Sequence, residues 1–288
     1  MKKKLQEIVL TIPSFVWLLL FFLVPTLLVF ILAFRPPDPF GGIGAGWTTA
    51  TIRELARHQY WVIAWRTLWA SAVTTAICLA LALPTGYAVA RASPRRRNLL
   101  LMMVIVPFWT SFLIRVFAWR SLLHPEGPVK KILVLLGLAS PQTPLLYNNA
   151  AVILVMTYTF LPFAILPIYA AAEKFDFRLV EAARDLGARP FQAFRKVFLP
   201  GIRQGVVTAV LIVLIPALGS YVVPDLVGGP SSEMLGNKIA QRVFVDRNLP
   251  HASALSVVLI LAVLAPLLAI LFLQRKKEKP EIILEEGG

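Results

Sequence analysis

Long apolar stretches separated by polar segments constrain the fold of this chain more than any other feature. Six stretches are long enough to cross a bilayer as helices: about residues 12–34, 67–90, 99–119, 150–172, 204–223 and 252–273. A mean hydropathy of +0.73 and a charged fraction of 15% agree with lipid as the surrounding solvent. The sequence therefore predicts an all-α membrane protein with six transmembrane helices.

The basic residues indicate how these helices are oriented. The formal net charge of +14 could suggest a nucleic-acid-binding protein, but the basic residues form no continuous face and no known reading motif. Lysine and arginine are more abundant in four segments, 1–11, 91–98, 174–203 and 274–288, than in the intervening loops. Because cytoplasmic loops favour Lys and Arg, we expect both termini in the cytoplasm and no nucleic-acid partner.

The first apolar stretch follows three lysines, as the core of a secretory signal peptide would. It is longer than a usual signal core, and Ala33-Phe34-Arg35-Pro36 offers no small-residue cleavage pattern, so we interpret it as a retained span. Three outer loops are then expected, at residues 35–66, 120–149 and 224–251. The predicted organisation is an N-terminal helix with its first loop (1–66), a five-helix core (67–273) and a cytoplasmic tail (274–288).

Three tryptophans, Trp61, Trp65 and Trp69, recur four residues apart from the end of the first outer loop into the second span. They match an aromatic belt at the lipid boundary, and a ligand-stacking face is the alternative interpretation.

A polar segment between the fourth and fifth spans, EAARDLGARPFQAFRKVFLP from Glu181 to Pro200, predicts two short helices. The first is expected from Leu179 to Leu186, where Gly187 would end it in a left-handed cap. Pro190 suits the first turn of the second helix.

The second helix is expected to carry an apolar stripe. Phe191, Phe194 and Phe198 recur at i, i+3 and i+7 and would lie back on the membrane helices, with Arg195 and Lys196 facing water. An amphipathic segment lying on the membrane surface is the alternative interpretation.

This segment resembles the EAA loop of bacterial ABC-importer permeases in its residues and their spacing. Only Val197 departs, since the family more often has isoleucine there. The resemblance implies that the segment, within a cytoplasmic loop at 174–203, is a coupling helix that sits in a groove of a separate ATPase subunit. The residues implied in ATPase coupling are Glu181, Ala182, Ala183, Asp185, Gly187, Ala188, Val197, Leu199 and Pro200.

Further motifs resemble the permeases of the spermidine/putrescine importer family. They are Pro107-Phe108-Trp109-Thr110-Ser111 with Leu113-Ile114-Arg115, Leu161-Pro162-Phe163 with Leu166-Pro167-Ile168-Tyr169, and Val223 to Pro230 with Gly236-Asn237. The resemblance implies the type I, MetI-like permease fold in the bacterial inner membrane. It also implies an importer with two ATPase subunits, a second related permease and an external solute-binding protein, whose cargo would be a polyamine or another small solute.

The chain itself offers no site for nucleotide, cofactor or metal chemistry. No GxxxxGK[ST] phosphate-binding loop is present, so ATP is expected to be hydrolysed by a partner rather than by this chain. The three histidines, His58, His124 and His251, are far apart and lack metal-ligand spacing, and Cys78 is the only cysteine. We therefore expect no cofactor and no catalytic residue.

Candidates for a solute path are polar or aromatic residues in the spans or at their ends: Trp109, Thr110, Ser111, Arg115, Tyr158, Ser220, Tyr221 and Asp225. Aromatic faces, Asp225 and Glu233 could attract a polyamine, but no span contains an acidic residue, which leaves other small organic cations, amino-acid conjugates and anions open. A self-contained carrier or a membrane enzyme is the alternative function. Neither the buried carboxylates of a proton-driven carrier nor a catalytic cluster is visible.

Overall fold

A computed structural model describes residues 11–277 of the chain. Helices and connecting loops make up this part, and the pairing of extended backbone within it is limited to one isolated bridge between Pro37 and Ile43. The expectation of an all-α protein is confirmed for the described residues.

The helices are numbered in chain order. They are α1 Thr11–Leu32, α2 Ala50–Leu55, α3 His58–Arg91, α4 Pro94–Ile105, α5 Phe112–Leu123, α6 Pro128–Leu135, α7 Asn149–Glu173, α8 Arg178–Asp185, α9 Pro190–Gly201, α10 Arg203–Leu218, α11 Val222–Val227, α12 Leu235–Phe244 and α13 Leu249–Lys277. A turn of 3₁₀-helix, Val106–Trp109, follows α4, and the segment Phe194–Phe198 of α9 winds as a π-helix.

Three helices of the described part, α1, α3 and α7, are long and apolar enough to cross a membrane on their own. Two further pairs pass the same test together but are sharply bent: α4 and α5 by 92°, and α9 and α10 by 76°. The beginning of α13, Leu249–Ala265, is a shorter apolar helix. By length and composition the described residues thus provide three spans, or up to five when each bent pair is one span.

Several boundaries differ from those that the sequence predicts. The outer loops contain helices: α3 begins at His58 rather than near residue 67, and α6 and α12 lie in the second and third loops. The third span is broken, because Pro107 lies in the 3₁₀ turn that separates α4 from α5. The boundary of α3 has a visible cause, since tryptophans four residues apart already follow a helical period.

The chain divides into two compact units. One consists of the described residues up to Val62 and those from Lys238 onward, and in it α13 packs against α1 and α2. The buried Tyr60 joins its elements: the ring lies 5.3 Å from that of His251, and the hydroxyl accepts a hydrogen bond of 3.1 Å from Arg242.

The second unit, Ile63–Asn237, has two apolar cores along α7. The first is formed by the N-terminal half of α7 with α5, α11 and the end of α10, and it includes Val116, Met156 and Val223. The second is formed by the C-terminal half of α7 with α3, α9 and α10, and it includes Ile168 and Phe198. The second core attaches the Glu181–Pro200 loop to the long helices.

A glycine permits the close approach of α10 to α7. A Cβ atom on Gly205 would lie 2.4 Å from the Cβ of Ala171 and 2.9 Å from the carbonyl oxygen of Pro167. Small residues of this kind allow membrane helices to pack backbone against backbone. Movement of α10 is therefore expected to carry α7 with it.

Candidate functional site

The first helix of the Glu181–Pro200 loop, α8, ends in a Schellman motif. Gly187 has a φ of +88°; its N–H donates to the carbonyl of Arg184 at 2.9 Å, while the N–H of Ala188 donates to the carbonyl of Ala183 at 3.0 Å. Among the described residues no neighbouring atom comes within 4 Å of a Cβ built on Gly187. The predicted left-handed turn is confirmed, and the backbone conformation alone favours glycine there.

The second helix begins as the sequence predicts. Pro190 occupies its first turn, and the N–H of Arg189 donates to the side-chain oxygen of Gln192 at 3.0 Å. The proline supplies the helical φ, and the glutamine satisfies a backbone donor that would otherwise be open at the start of the helix. The turn between α8 and α9 is thus fixed by local hydrogen bonds on both sides.

The predicted phenylalanine stripe on α9 is only partly correct. Phe198 is fully buried and Phe194 is half-buried, but Phe191 is 70% exposed. The π-helical segment from Phe194 to Phe198 explains the difference, because i→i+5 winding changes the angle between successive side chains. Residues spaced i and i+7 across such a segment no longer share one face.

Aromatic rings from α3 and from both arms of the loop meet around Tyr87. The Tyr87 ring lies edge-on to Phe177, Phe194 and Phe198, with centroid distances of 5.6, 5.6 and 4.9 Å. Edge-to-face pairs contribute about 0.5–1.5 kcal/mol each beyond the burial of their area. Phe177 precedes α8, whereas the other two phenylalanines belong to α9. A single side chain of α3 therefore holds both helices of the loop.

Phe175 extends this cluster toward the next span. Its ring packs edge-on against Phe177 at 5.5 Å and against Phe198 at 5.4 Å. A Cβ on Gly201, at the end of α9, would lie 2.3 Å from the Phe175 ring, so glycine is required for this contact. We call the rings of Tyr87, Phe175, Phe177, Phe194 and Phe198 the aromatic cluster.

Two ion pairs lie beside the aromatic cluster. Arg91 of α3 reaches Glu181 of α8 at 3.4 Å and donates to the Tyr87 hydroxyl at 2.9 Å, and Arg97 of α4 reaches Glu173 of α7 at 2.9 Å. Both pairs are partly exposed, so each contributes about 0–1 kcal/mol to stability. Their main effect is on geometry, since the Arg91–Glu181 pair ties the start of the predicted coupling motif to α3 and the Arg97–Glu173 pair ties α4 to the end of α7.

The loop also presents apolar side chains to its surroundings. Leu186, next to the Schellman glycine, is 89% exposed, Phe191 is exposed at the start of α9, and Leu179 is exposed on α8. Large apolar side chains exposed in a loop rich in charged residues are typical of a surface that another protein covers or that inserts at the membrane interface. The family resemblance does not place Leu186 or Phe191 among the coupling residues, although a leucine directly before a capping glycine is a visible signal.

The remaining predicted coupling residues differ in burial. Ala182, Asp185 and Pro200 are exposed, whereas Ala183, Ala188, Val197 and Leu199 are partly buried. Ala183, Ala188 and Val197 pack against the second apolar core. The predicted set thus divides into residues that a partner could contact and residues that hold the loop in place.

Four of the predicted path residues lie at or just after the 92° bend between α4 and α5. Trp109 is 81% exposed, the hydroxyl of Thr110 donates to the carbonyl of Pro107 at 2.7 Å, and Ser111 is the N-cap residue of α5. Arg115 lies one turn into α5, with its guanidinium 4.4 Å from the centre of the Phe108 ring.

The other path residues lie on neighbouring helices. The ring of Tyr158, on α7, packs against Trp119 of α5 at 5.3 Å. Tyr221 and Asp225 belong to the exposed side of the segment around α11, where the Asn237 side chain donates to the Tyr221 carbonyl at 2.9 Å. Asn237 belongs to one of the motifs that carry the family resemblance.

In the described part of the chain, no three His, Cys, Asp or Glu side chains are grouped as metal ligands would be.

Comparisons with known proteins agree with this architecture. The chain is 38% identical over 254 residues to the spermidine/putrescine transport system permease protein PotB of Haemophilus influenzae, covering 88% of each chain. It is 34% identical over 119 residues to the corresponding protein PotC of Escherichia coli, covering 41% of this chain and 45% of PotC. Among solved structures, it resembles a chain of a bacterial ABC transporter involved in the import of the acidic polysaccharide alginate, with a TM-score of 0.71 at 18% identity, covering 96% and 98% of the two chains.

The family assignment rests on most of the chain. Residues 82–278 match the family described as binding-protein-dependent transport system inner membrane component. This range contains α4 to α13, the whole aromatic cluster and the Glu181–Pro200 loop. Members of this family are multi-pass transport proteins rather than enzymes. This chain belongs to the family of inner-membrane permease components of binding-protein-dependent transport systems.

Proposed function

We propose that the chain is the permease subunit of an ATP-binding-cassette importer and that its Glu181–Pro200 loop receives the movement of a separate ATPase. The observation that carries this proposal is the asymmetry of the loop. Leu186 and Phe191 are exposed as a partner-binding surface would be, while Phe194 and Phe198 are packed into the second apolar core. A loop that couples two proteins needs one free surface and one fixed attachment.

The fixed attachment would transmit movement in two directions. Through Tyr87, displacement of the loop would reach α3, and through α10 and Gly205 it would reach α7. Close-packed side chains transmit displacement because they cannot be compressed, and they rearrange between discrete packings rather than continuously. We propose that closing of the ATPase dimer moves α8 and α9 together and so shifts the spans between inward-facing and outward-facing arrangements.

The topology that suits this mechanism has six spans with both termini in the cytoplasm. The six would be α1, α3, the bent pair α4 and α5, α7, α10 with the turn that precedes it, and α13. In this arrangement the Glu181–Pro200 loop lies on the side of the membrane where ATP is present, in agreement with its lysines and arginines. We retain the division into an N-terminal helix with its first outer loop (1–66), a permease core (67–273) containing the coupling loop (174–203), and a tail (274–288).

The proposed assembly contains several proteins besides this chain. Hydrolysis requires ATPase subunits, because the sequence has no phosphate-binding loop of its own. A second permease is proposed as a distinct but related chain, since the likeness to PotB extends over most of the sequence and the likeness to PotC over less than half. A solute-binding protein outside the membrane would deliver the cargo, as the family description indicates.

We propose a polyamine such as spermidine or putrescine as the cargo. The likeness to PotB supports this choice, and the exposed rings of Trp109 and Tyr221 could contact ammonium groups through cation–π interactions. Asp225, exposed on α11, would add Coulomb attraction. Since the only carboxylate in the proposed spans, as far as the structure describes them, is Glu173 at the end of α7, other subunits would supply most of the negative charge in the path.

Reconstitution of transport tests the proposal. The chain is purified with the ATPase, the second permease and the binding protein encoded near it, placed in vesicles, and supplied with radiolabelled spermidine. We expect uptake that requires both ATP and the binding protein. Uptake by this chain in the absence of the ATPase would identify a self-contained carrier and contradict the proposal, and ATP-driven uptake of a different solute would contradict the cargo alone.

A further inference from the structure

Arg115 of α5 carries a positive charge that the described part of this chain does not balance. Its Nε and Nη1 atoms are buried and have no hydrogen-bond partner, and it forms no ion pair with any carboxylate of the described residues. A guanidinium offers five N–H donors, and leaving buried donors without acceptors costs free energy. At membrane depth an unpaired charge of this kind is a functional candidate.

The contacts around Arg115 compensate its charge only in part. The guanidinium lies over the Phe108 ring at 4.4 Å, and Phe108 packs edge-on against Phe163 of α7 at 5.2 Å. An aromatic face attracts a cation but accepts none of the directed hydrogen bonds that five guanidinium N–H groups offer.

The chain has no suitable carboxylate of its own. From residue 94 to residue 172 the sequence contains a single acidic residue, Glu126, which lies in the loop between α5 and α6. The next candidate is Asp225 on α11, a helix that packs against α5, but its side chain is exposed and does not pair with Arg115. Any carboxylate that pairs with Arg115 must therefore come from outside the described part of the chain.

The surface beside Arg115 points to another protein rather than to lipid headgroups. Trp109, Leu113 and Ile114 are all exposed and apolar, so lipid tails or an apolar protein surface would cover this side of α5, whereas polar headgroups would not. An arginine that anchors in headgroups extends its charged end toward them, whereas Arg115 folds back on Phe108 and buries two of its three guanidinium nitrogens. Nη2 lies outside this buried pair and is the atom that a partner could approach.

We propose that Arg115 forms an ion pair with a carboxylate side chain of the second permease subunit, beside the bend between α4 and α5. The inference rests on the proposed function, which places a second permease against this chain. The pair would explain how an uncompensated arginine is tolerated in a span. It would also place a carboxylate where a cationic solute passes, so that solute and Arg115 would compete for it.

Charge reversal tests the pair in the complete transporter. The wild-type complex is first purified through a tag on this chain, because recovery of the ATPase and the second permease establishes the proposed function independently. With Arg115→Glu we expect the recovered second permease to fall at least tenfold, since two buried carboxylates would then repel each other. Arg115→Lys, which keeps the charge, should retain most of it.

Arg120→Glu is the matched control. Arg120 lies on the same helix and has a partner within the chain, the Tyr147 hydroxyl at 3.4 Å, so its reversal should leave the second permease bound. Replacing one acidic residue in the spans of the second permease by arginine should restore the Arg115→Glu complex. Normal recovery of the second permease with Arg115→Glu would overturn the proposal. The proposal would also be overturned if removal of anionic lipid restored that recovery, because this result would assign the counter-charge to a lipid phosphate.

A cross-linking test covers the case in which Arg115→Glu fails to fold. In a Cys78→Ala background, which removes the only native cysteine, Arg115→Cys is combined with cysteine in place of each acidic residue in the spans of the second permease. We expect one combination to form a disulfide under mild oxidation in the assembled complex. Failure of every combination, in complexes that still take up solute, would overturn the proposed pair without affecting the proposed function.

Discussion

The ring of Tyr87 on α3 lies edge-on to the ring of Phe198 on α9, with 4.9 Å between their centroids. Phe198 is fully buried, so this contact joins the loop to the interior of the molecule. It is the shortest of the three contacts through which Tyr87 holds both arms of the Glu181–Pro200 loop. The first prediction concerns this residue.

Tyr87→Ala should uncouple ATP hydrolysis from transport. Removing the ring leaves a cavity among the three phenylalanines, with a cost of about 3 kcal/mol of folding free energy. We expect a lower melting temperature and an ATPase activity that the loaded binding protein no longer stimulates. Tyr87→Phe, which loses only the hydrogen bond from Arg91, should retain at least half of the wild-type uptake rate. Wild-type coupling in Tyr87→Ala would show that the aromatic cluster does not transmit movement.

Gly187→Val should abolish transport because a β-branched residue resists a φ of +88°. Gly187→Asn is the matched control, since asparagine tolerates the left-handed conformation better than other side chains do. A Cβ atom built on Gly187 has no neighbouring described atom within 4 Å, so the backbone conformation rather than crowding at Cβ should separate the two variants. Equal uptake by both variants, measured in vesicles, would contradict the assigned role of the turn.

Leu186→Ala and Phe191→Ala, combined, should reduce the recovery of the ATPase with the purified chain. Both side chains are exposed, so truncation should hardly affect folding but should remove apolar contact with a partner, typically at a cost of about 1–2 kcal/mol or more at a central position. Leu135→Ala on α6 is the control, because Leu135 is 86% exposed and lies in a predicted outer loop. A similar loss with Leu135→Ala would indicate a nonspecific effect.

Glu181→Lys should weaken binding of the ATPase and also repel Arg91, which lies 3.4 Å from the carboxylate. The double variant Glu181→Lys with Arg91→Glu separates these effects, since it restores an ion pair within the chain. We expect the double variant to regain thermal stability but to remain deficient in ATPase recovery. Complete recovery of both properties would assign Glu181 to the internal pair alone.

The sequence predicts the loop in detail because its signals are local. Gly187 and Pro190 set backbone conformations through their own covalent structure, and the structure has the left-handed turn and the helix start at these residues. The phenylalanine stripe was predicted less well. Its i, i+3, i+7 spacing assumes regular α-helical winding, and the π-helical segment changes the phase so that Phe191 leaves the buried face.

Tyr87 and Arg91 could not be identified as parts of the site from the sequence. They lie on α3, far before Glu181 and Phe194 in the chain, and only tertiary packing brings them together. The break at Pro107 is not predicted from the sequence either, because a proline in an apolar stretch is compatible with a gentle bend as well as with the 92° turn observed. Whether the predicted path residues line a path stays a prediction.

Cross-linking of Leu186 to the ATPase tests the central claim most directly. In a Cys78→Ala background, Leu186→Cys is combined with single cysteines placed along the groove of the ATPase, and Leu135→Cys serves as the control. The account predicts a disulfide from Leu186→Cys in the assembled transporter, none from Leu135→Cys, and no labelling of Leu186→Cys by a membrane-impermeant maleimide added outside intact cells. Labelling of Leu186→Cys from the outside, with no cross-link to the ATPase, would contradict the account.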